Sequence, residues 1–187
     1  LVGVEHQTCF AMKANANLAI LSVMARHGLG ADVVSGGELF LALRAGIPAE
    51  KVVYSGVGKT TAEIDMALSA GIMMFNIESG EELEVINARA GVMGKKAPIA
   101  IRVNPDVDPR THPYISTGMQ KNKFGIAIEA SLEHYLKAMA MPHVEIVGID
   151  CHIGSQLTEV EPFIDAVERL KVLIERLKAK GILFRYL

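Results

Sequence analysis

Ala31-Asp-Val-Val-Ser-Gly-Gly-Glu-Leu-Phe-Leu-Ala-Leu-Arg-Ala-Gly46 reads as one complete unit: a β-branched run, a small polar turn, an amphipathic stretch and a closing glycine. Two like units follow, Lys51-Val-Val-Tyr-Ser-Gly56 running to Ser69-Ala-Gly71, and Met73-Met-Phe-Asn-Ile-Glu-Ser-Gly80 running to Arg89-Ala-Gly91. Each predicts strand, turn, helix and glycine C-cap, since β-branched residues suit a pleated strand and glycine takes the left-handed cap without strain. Leucine-rich repeats share a period of about 20 residues, but their alternating Leu and Asn positions are missing here. The βα unit is preferred.

Extending that reading predicts strands near 8–13, 31–35, 51–55, 73–77, 98–103, 144–152 and 182–187, with helices near 17–27, 36–45, 61–70, 79–90, 129–140 and 160–180. Strict alternation implies a parallel sheet with right-handed crossovers, either an open doubly wound sheet or a closed (β/α)8 TIM-type barrel. An open sheet calls for a nucleotide fingerprint. The turn Ser55-Gly-Val-Gly-Lys-Thr-Thr61 fails both forms, because a phosphate-binding loop needs Gly at Val53 and a dinucleotide loop needs Gly at Thr61. It reads instead as a helix entry, with Thr60 or Thr61 as N-cap and Glu63 close behind.

The barrel is favoured by the strand tips. Each predicted strand ends in a polar group: Lys13, Ser35, Ser55, Asn76 or Glu78, Arg102 with Asn104, and His152 with Ser155. In parallel barrels that rim builds the active site. Parity agrees: Phe10 and Met12 oppose Lys13, Ile101 and Val103 oppose Arg102, and Ile149 and Cys151 oppose His152, leaving the polar set for the barrel mouth. The expected fold is thus α/β, a parallel barrel incomplete in this chain at about seven strands.

Composition narrows the function. Of 187 residues, 50% are hydrophobic and 21% charged, with a net charge of -2, which excludes a disordered tail. No Lys/Arg-rich run exists to displace counterions from a nucleic acid, so no such partner is expected. Apolar runs fall far short of a bilayer span and Leu1–Cys9 has no leader pattern, so a soluble cytoplasmic protein without membrane contact is expected. Cys9 and Cys151 are too few for a disulfide framework and are expected to be buried, reduced thiols. The start at Leu1 rather than Met suggests a piece of a longer chain.

Lys13 is the most informative residue. On the inward parity of a buried strand, a lysine must be paired, neutral or covalently modified, and a desolvated amine could form a Schiff base with a carbonyl. A lysine snorkelling to the rim is the bland alternative. His152 heads His152-Ile-Gly-Ser-Gln156, where backbone N–H groups and the Ser155 hydroxyl precede a long helix and could seat a phosphate. The imidazole could then lie on an aromatic cofactor ring, or serve as an ordinary structural histidine. No His/Cys/Asp/Glu cluster has metal-ligand spacing, so no metal is expected. Asn104–Gly125, with Pro105, Pro109, Pro113, Tyr114 and Phe124, is the longest stretch without an evident element and reads as an ordered lid, a subunit contact or a solvated loop. The charges of 160–180, among them Glu168, Arg169 and Glu175, read as a water-facing helix surface.

Six motifs in order, Phe10-Ala-Met-Lys-Ala-Asn-Ala-Asn17, Ala31–Leu39, Ile101-Arg-Val-Asn-Pro105, Thr111-His-Pro-Tyr-Ile-Ser-Thr-Gly118, Asn122-Lys-Phe-Gly-Ile126 and His152–Gln156, span nearly the whole chain. In them the chain resembles the pyridoxal-phosphate decarboxylases on the alanine-racemase-like barrel, and within these the diaminopimelate decarboxylases. The resemblance implies that Lys13 carries pyridoxal 5'-phosphate as a Schiff base, His152 stacks on its ring, Ser155 helps hold its phosphate and Arg102 lies near its phenolic oxygen, with Asp32 and Glu38 in support. It implies decarboxylation of a small-molecule amino acid, meso-diaminopimelate, to L-lysine and carbon dioxide, by a homodimer. A decarboxylase for another basic amino acid, a non-catalytic pyridoxal-phosphate homologue and a Schiff-base aldolase are the alternatives. An aldolase has no need of a ring-stacking His152.

Family members continue past Phe184-Arg-Tyr-Leu187 into an Asp-Ile-Gly-Gly-Gly phosphate loop, a Glu-Pro-Gly-Arg segment and a β-rich domain with a catalytic Cys, which neither Cys9 nor Cys151 matches. The expectation is therefore that residues 1–187 form part of a barrel domain, without the C-terminal β-domain, and that alone they bind pyridoxal phosphate weakly and decarboxylate little or not at all.

Overall fold

The structure, a computed structural model, describes residues 3–107, 124–154 and 157–187. Among these, seven strands form one parallel sheet: β1 (Cys9–Ala11), β2 (Gly30–Val33), β3 (Val52–Tyr54), β4 (Met74–Ile77), β5 (Ala97–Asn104), β6 (Ile126–Ala127) and β7 (Val144–Cys151). Helices α1 (Leu18–Arg26), α2 (Gly36–Arg44), α3 (Thr61–Ala70), α4 (Gly80–Val92), α5 (Ile128–Met139) and α6 (Glu161–Lys178) alternate with them. The strands run in sequence order from β1 to β5, and β5 then pairs with β7 over Ala97–Val103, giving the expected partial barrel.

Register sorts the two faces of the sheet, because partners in parallel strands share a side. Ala31, Val33, Tyr54, Phe75, Ile77 and Ile101 lie on one side and are fully buried, in one core with Leu39, Ile64, Leu83, Ile86 and Leu170 of the helices. Burying each large side chain is worth about 1.5–3 kcal/mol, so this helix-facing side is where the fold gains its stability.

The helix entries are written in short capping signals. Ser35 and Ser79 accept from the N–H of Glu38 and Glu82, each at 3.2 Å, and Thr60 forms a reciprocal capping box with Glu63. Gly71 caps α3 in the left-handed conformation, φ 71°, as predicted. The third unit differs: α4 continues through Gly91, and the left-handed glycine is Gly94, φ 63°. Gly91 serves packing instead, since a Cβ there would sit 2.6 Å from Cδ2 of His143.

Several expectations are corrected. The first strand stops at Ala11; Asn15 N–H bonds back to Met12 O at 3.1 Å, closing a 3-10 turn over Met12–Ala14 that carries Lys13 into solvent while Met12 fills the core. The expected strand 182–187 is reduced to a single bridge between Tyr186 and Gly148. The two-residue β6 was not foreseen; it takes the β4-side edge of β5 beyond Ile77, since β7 occupies the other edge at Val103. Cys9 and Cys151 are free thiols, half-buried rather than buried, and burial pushes each up to about 11. Arg169 does not simply face water: it donates to Pro105 O at 2.9 Å and ties α6 to the segment after β5. The motif Thr111–Gly118 and most of the Asn104–Gly125 stretch lie outside the described residues, as do Ser155 and Gln156. Among the described residues no helix is long and apolar enough to cross a membrane, and no group of three or more His, Cys, Asp or Glu could hold a metal ion.

Candidate active site

The other side of the sheet carries the polar residues that parity assigned to it. Register places Ala11, Asp32, Val53, Met74, Ala100 and Gly148 on it, and stepping by two toward the C-terminal tips reaches Ser55, Asn76, Arg102, Asp150 and His152, while Lys13 follows β1 in the 3-10 turn. These side chains interlock. Ser55 Oγ donates to Asp32 Oδ1 at 2.6 Å and accepts from Asn76 Nδ2 at 3.1 Å. Glu78, just past β4 and 7% exposed, takes Arg102 Nη1 at 2.7 Å and Gly56 N–H at 3.1 Å on the same oxygen.

Charges meet at the rim. Asp32 interacts with Lys13, Arg102 and His152, but burial outweighs them and holds its carboxyl above the usual range. His152 lies just past the β7 tip and is lowered, first by desolvation and then by the Arg102 and Lys13 cations. Both influences favour the neutral imidazole. Asp150 faces Arg102 in register and is pushed up to about 6, by burial first, with Arg102 opposing and Asp32 and Glu78 reinforcing. Among the described residues the Lys13 amine makes no hydrogen bond or ion pair, so a primary amine stands free near the Asp32 carboxylate and the His152 imidazole.

Lys13 and Arg102 both act electrostatically on His152, Arg102 from β5 and Lys13 from the turn after β1, whereas the place of Ser155 lies outside the described residues. Glu38 is not in the cluster; its Oε2 accepts from Val34 N–H at 2.8 Å in the α2 entry. Asp150 escaped sequence reading, although its signal was present: it shares the parity of His152 in Ile149-Asp-Cys-His152.

The family described as pyridoxal-dependent decarboxylase, pyridoxal binding domain, matches residues 2–187. The chain belongs to it. Among its relatives, the diaminopimelate decarboxylase of Pseudomonas aeruginosa is 56% identical over 187 residues, covering all of this chain and 45% of that protein. A crystal structure of diaminopimelate decarboxylase from Helicobacter pylori complexed with L-lysine superposes with a TM-score of 0.94 at 45% identity, covering 100% of this chain and 48% of that one. The M. jannaschii enzyme in co-complex with L-lysine gives a TM-score of 0.89 at 46% identity, over 97% and 42% of the two chains. The chain thus spans less than half the length of these relatives.

The polar face fits the family's cofactor. Asn76 Oδ1, Glu78 Oε2 and Arg102 Nε are buried without a hydrogen-bond partner among the described residues, an arrangement that costs stability unless something polar lies over it. Arg102 Nε is a donor for an oxygen on the ring, the Asn76 and Glu78 oxygens are acceptors for a protonated group of the ligand, and the imidazole and the free amine suit an aromatic ring and its aldehyde.

Proposed function

We propose that the protein carrying this chain decarboxylates meso-diaminopimelate to L-lysine and carbon dioxide, with pyridoxal 5'-phosphate as cofactor. The observation that carries the reading is the unengaged Lys13 amine at a rim shared with Arg102 and His152. The substrate class is supported by relatives named diaminopimelate decarboxylase and by the lysine-bound crystal structures.

In this reading Lys13 holds the cofactor aldehyde, His152 presents a flat neutral face to its ring, Arg102 meets its phenolic oxygen and Ser155 its phosphate. When bound, the cofactor supplies a conjugated cationic ring that accepts the electron pair left as carbon dioxide departs. The chain's own groups set the conditions. Exposed and free of partners, Lys13 has no hydrogen bond to break before it attacks a carbonyl. Arg102 is aimed by Glu78, so its charge is fixed before any ligand arrives. Asp32, held by Ser55, stands where it can balance the Lys13 ammonium or take up its proton.

Residues 1–187 supply the pyridoxal-binding barrel in this reading, and a β-rich domain beyond them completes the site in a cytoplasmic homodimer. The coverage of less than half of each relative supports a longer protein, and the domain, the compartment and the dimer rest on the family resemblance. The test is carbon dioxide release by the purified full-length protein from meso-diaminopimelate, ornithine and arginine in parallel. Preference for meso-diaminopimelate is expected. Preference for another amino acid would reassign the substrate, and release from none would reduce the protein to a non-catalytic homologue.

A further inference from the structure

The turn Ser55–Thr61 contains a cation sealed from solvent. The Lys59 side chain is 0% exposed, and its Nζ donates to Gly56 O at 2.7 Å, Asn76 O at 2.8 Å and Glu82 Oε1 at 2.5 Å. All three ammonium protons are thereby used, and the Tyr54 ring lies 5.7 Å from the nitrogen. Helix entry does not call for such a residue, because Thr60 and Glu63 already cap α3. A fully satisfied buried charge is costly to assemble but holds its partners in one arrangement.

Its partners are the tips of β3 and β4, and each leads into the candidate site. From Gly56, the N–H runs to Glu78 Oε1, the oxygen that takes Arg102 Nη1. From Asn76, the side chain runs to Ser55 and on to Asp32. The second oxygen of Glu82 also accepts from Glu78 N–H at 2.9 Å. Two hydrogen-bonded chains thus leave one ammonium and end on Arg102 and Asp32, two of the charges that act on His152. We infer that Lys59 is a positioning residue of the active site, fixing Arg102 and Asp32 through the tips of β3 and β4. Its functional readout rests on the pyridoxal reading, whereas its structural readout does not.

The test uses the full-length protein with Lys59→Met and with Lys59→Met/Glu82→Gln, the second removing the stranded carboxylate so that folding is retained. In cofactor-free protein, the Arg102 guanidinium 15N–1H signals, assigned with Arg102→Lys, are expected to be separate in the parent and averaged in both variants. The dissociation constant for pyridoxal 5'-phosphate is expected to rise about tenfold, as when a group behind a binding residue is lost. Arg89→Met, which breaks the α3–α4 ion pair with Asp65, should lower stability without moving either readout. A folded double variant that keeps the parent's Arg102 signals and cofactor affinity overturns the inference. If the parent itself fails to bind the cofactor, the proposed function falls and the Arg102 signals alone judge Lys59.

Discussion

Arg102 and Asp150 face each other in register across β5 and β7, an arginine committed to Glu78 beside a carboxylate that burial pushes up to about 6. Asp150 therefore keeps its proton longer in the fold than in the unfolded chain. Between about pH 4 and about pH 6 the folded state binds the extra proton, so stability falls as pH rises through that window and stays lower above it. A rise from 3.8 to about 6 corresponds to at most about 3 kcal/mol. Asp150→Asn should raise Tm at neutral pH and give no gain near pH 4, as thermal unfolding at the two pH values would reveal. An equal gain at both would mean that the carboxyl is not perturbed.

Glu63 serves two helices at once: Oε2 takes Thr60 N–H at 2.9 Å, and Oε1 takes Gly36 N–H, the first residue of α2, at 2.7 Å. These N–H donors hold its carboxyl below the usual range. Its contribution is complete above the unfolded carboxyl value and fades as pH falls through the lowered folded one. Glu63→Ala should cost about 1–2 kcal/mol at neutral pH, more than a single lost cap, measured by urea unfolding. The gap between parent and variant should narrow on acidification.

A backbone contact sets the β2–β3 register at its start. A Cβ on Gly30 would stand 2.1 Å from Lys51 O and 2.9 Å from Cys9 Sγ. Backbone cannot swing aside as a side chain does, so Gly30→Ala should destabilise by about 3 kcal/mol or more, read as a lower denaturation midpoint. Gly58→Ala, with nothing within 4 Å of its Cβ, is the control and should be far milder.

The threefold βα unit is legible because strand residues, capping Ser or Thr with Glu three places on, and a closing glycine each follow from local chemistry. The polar rim is legible because strand parity is local too, and it places Asn76 and Arg102 on the polar face. What escapes depends on long-range packing. β6 has two residues, too few for any period, and exists only because β5 outruns β4. Gly91 reads as a cap until His143 is found filling the space above it. The burial of Lys59 needs the carbonyls of Gly56 and Asn76 and the carboxylate of Glu82, brought together only by the β3–β4 pairing. Lys13 itself was expected on the strand, yet a turn three residues long sets it at the rim.

The Lys13 assignment is tested most directly by borohydride reduction of the pyridoxal-phosphate-loaded full-length protein, followed by peptide mapping. The pyridoxyl label is expected on the peptide containing Lys13, and Lys13→Ala should abolish both the label and the cofactor's visible absorption band. A label on Lys59, Lys51 or any other lysine, or a visible band that survives Lys13→Ala, would contradict it.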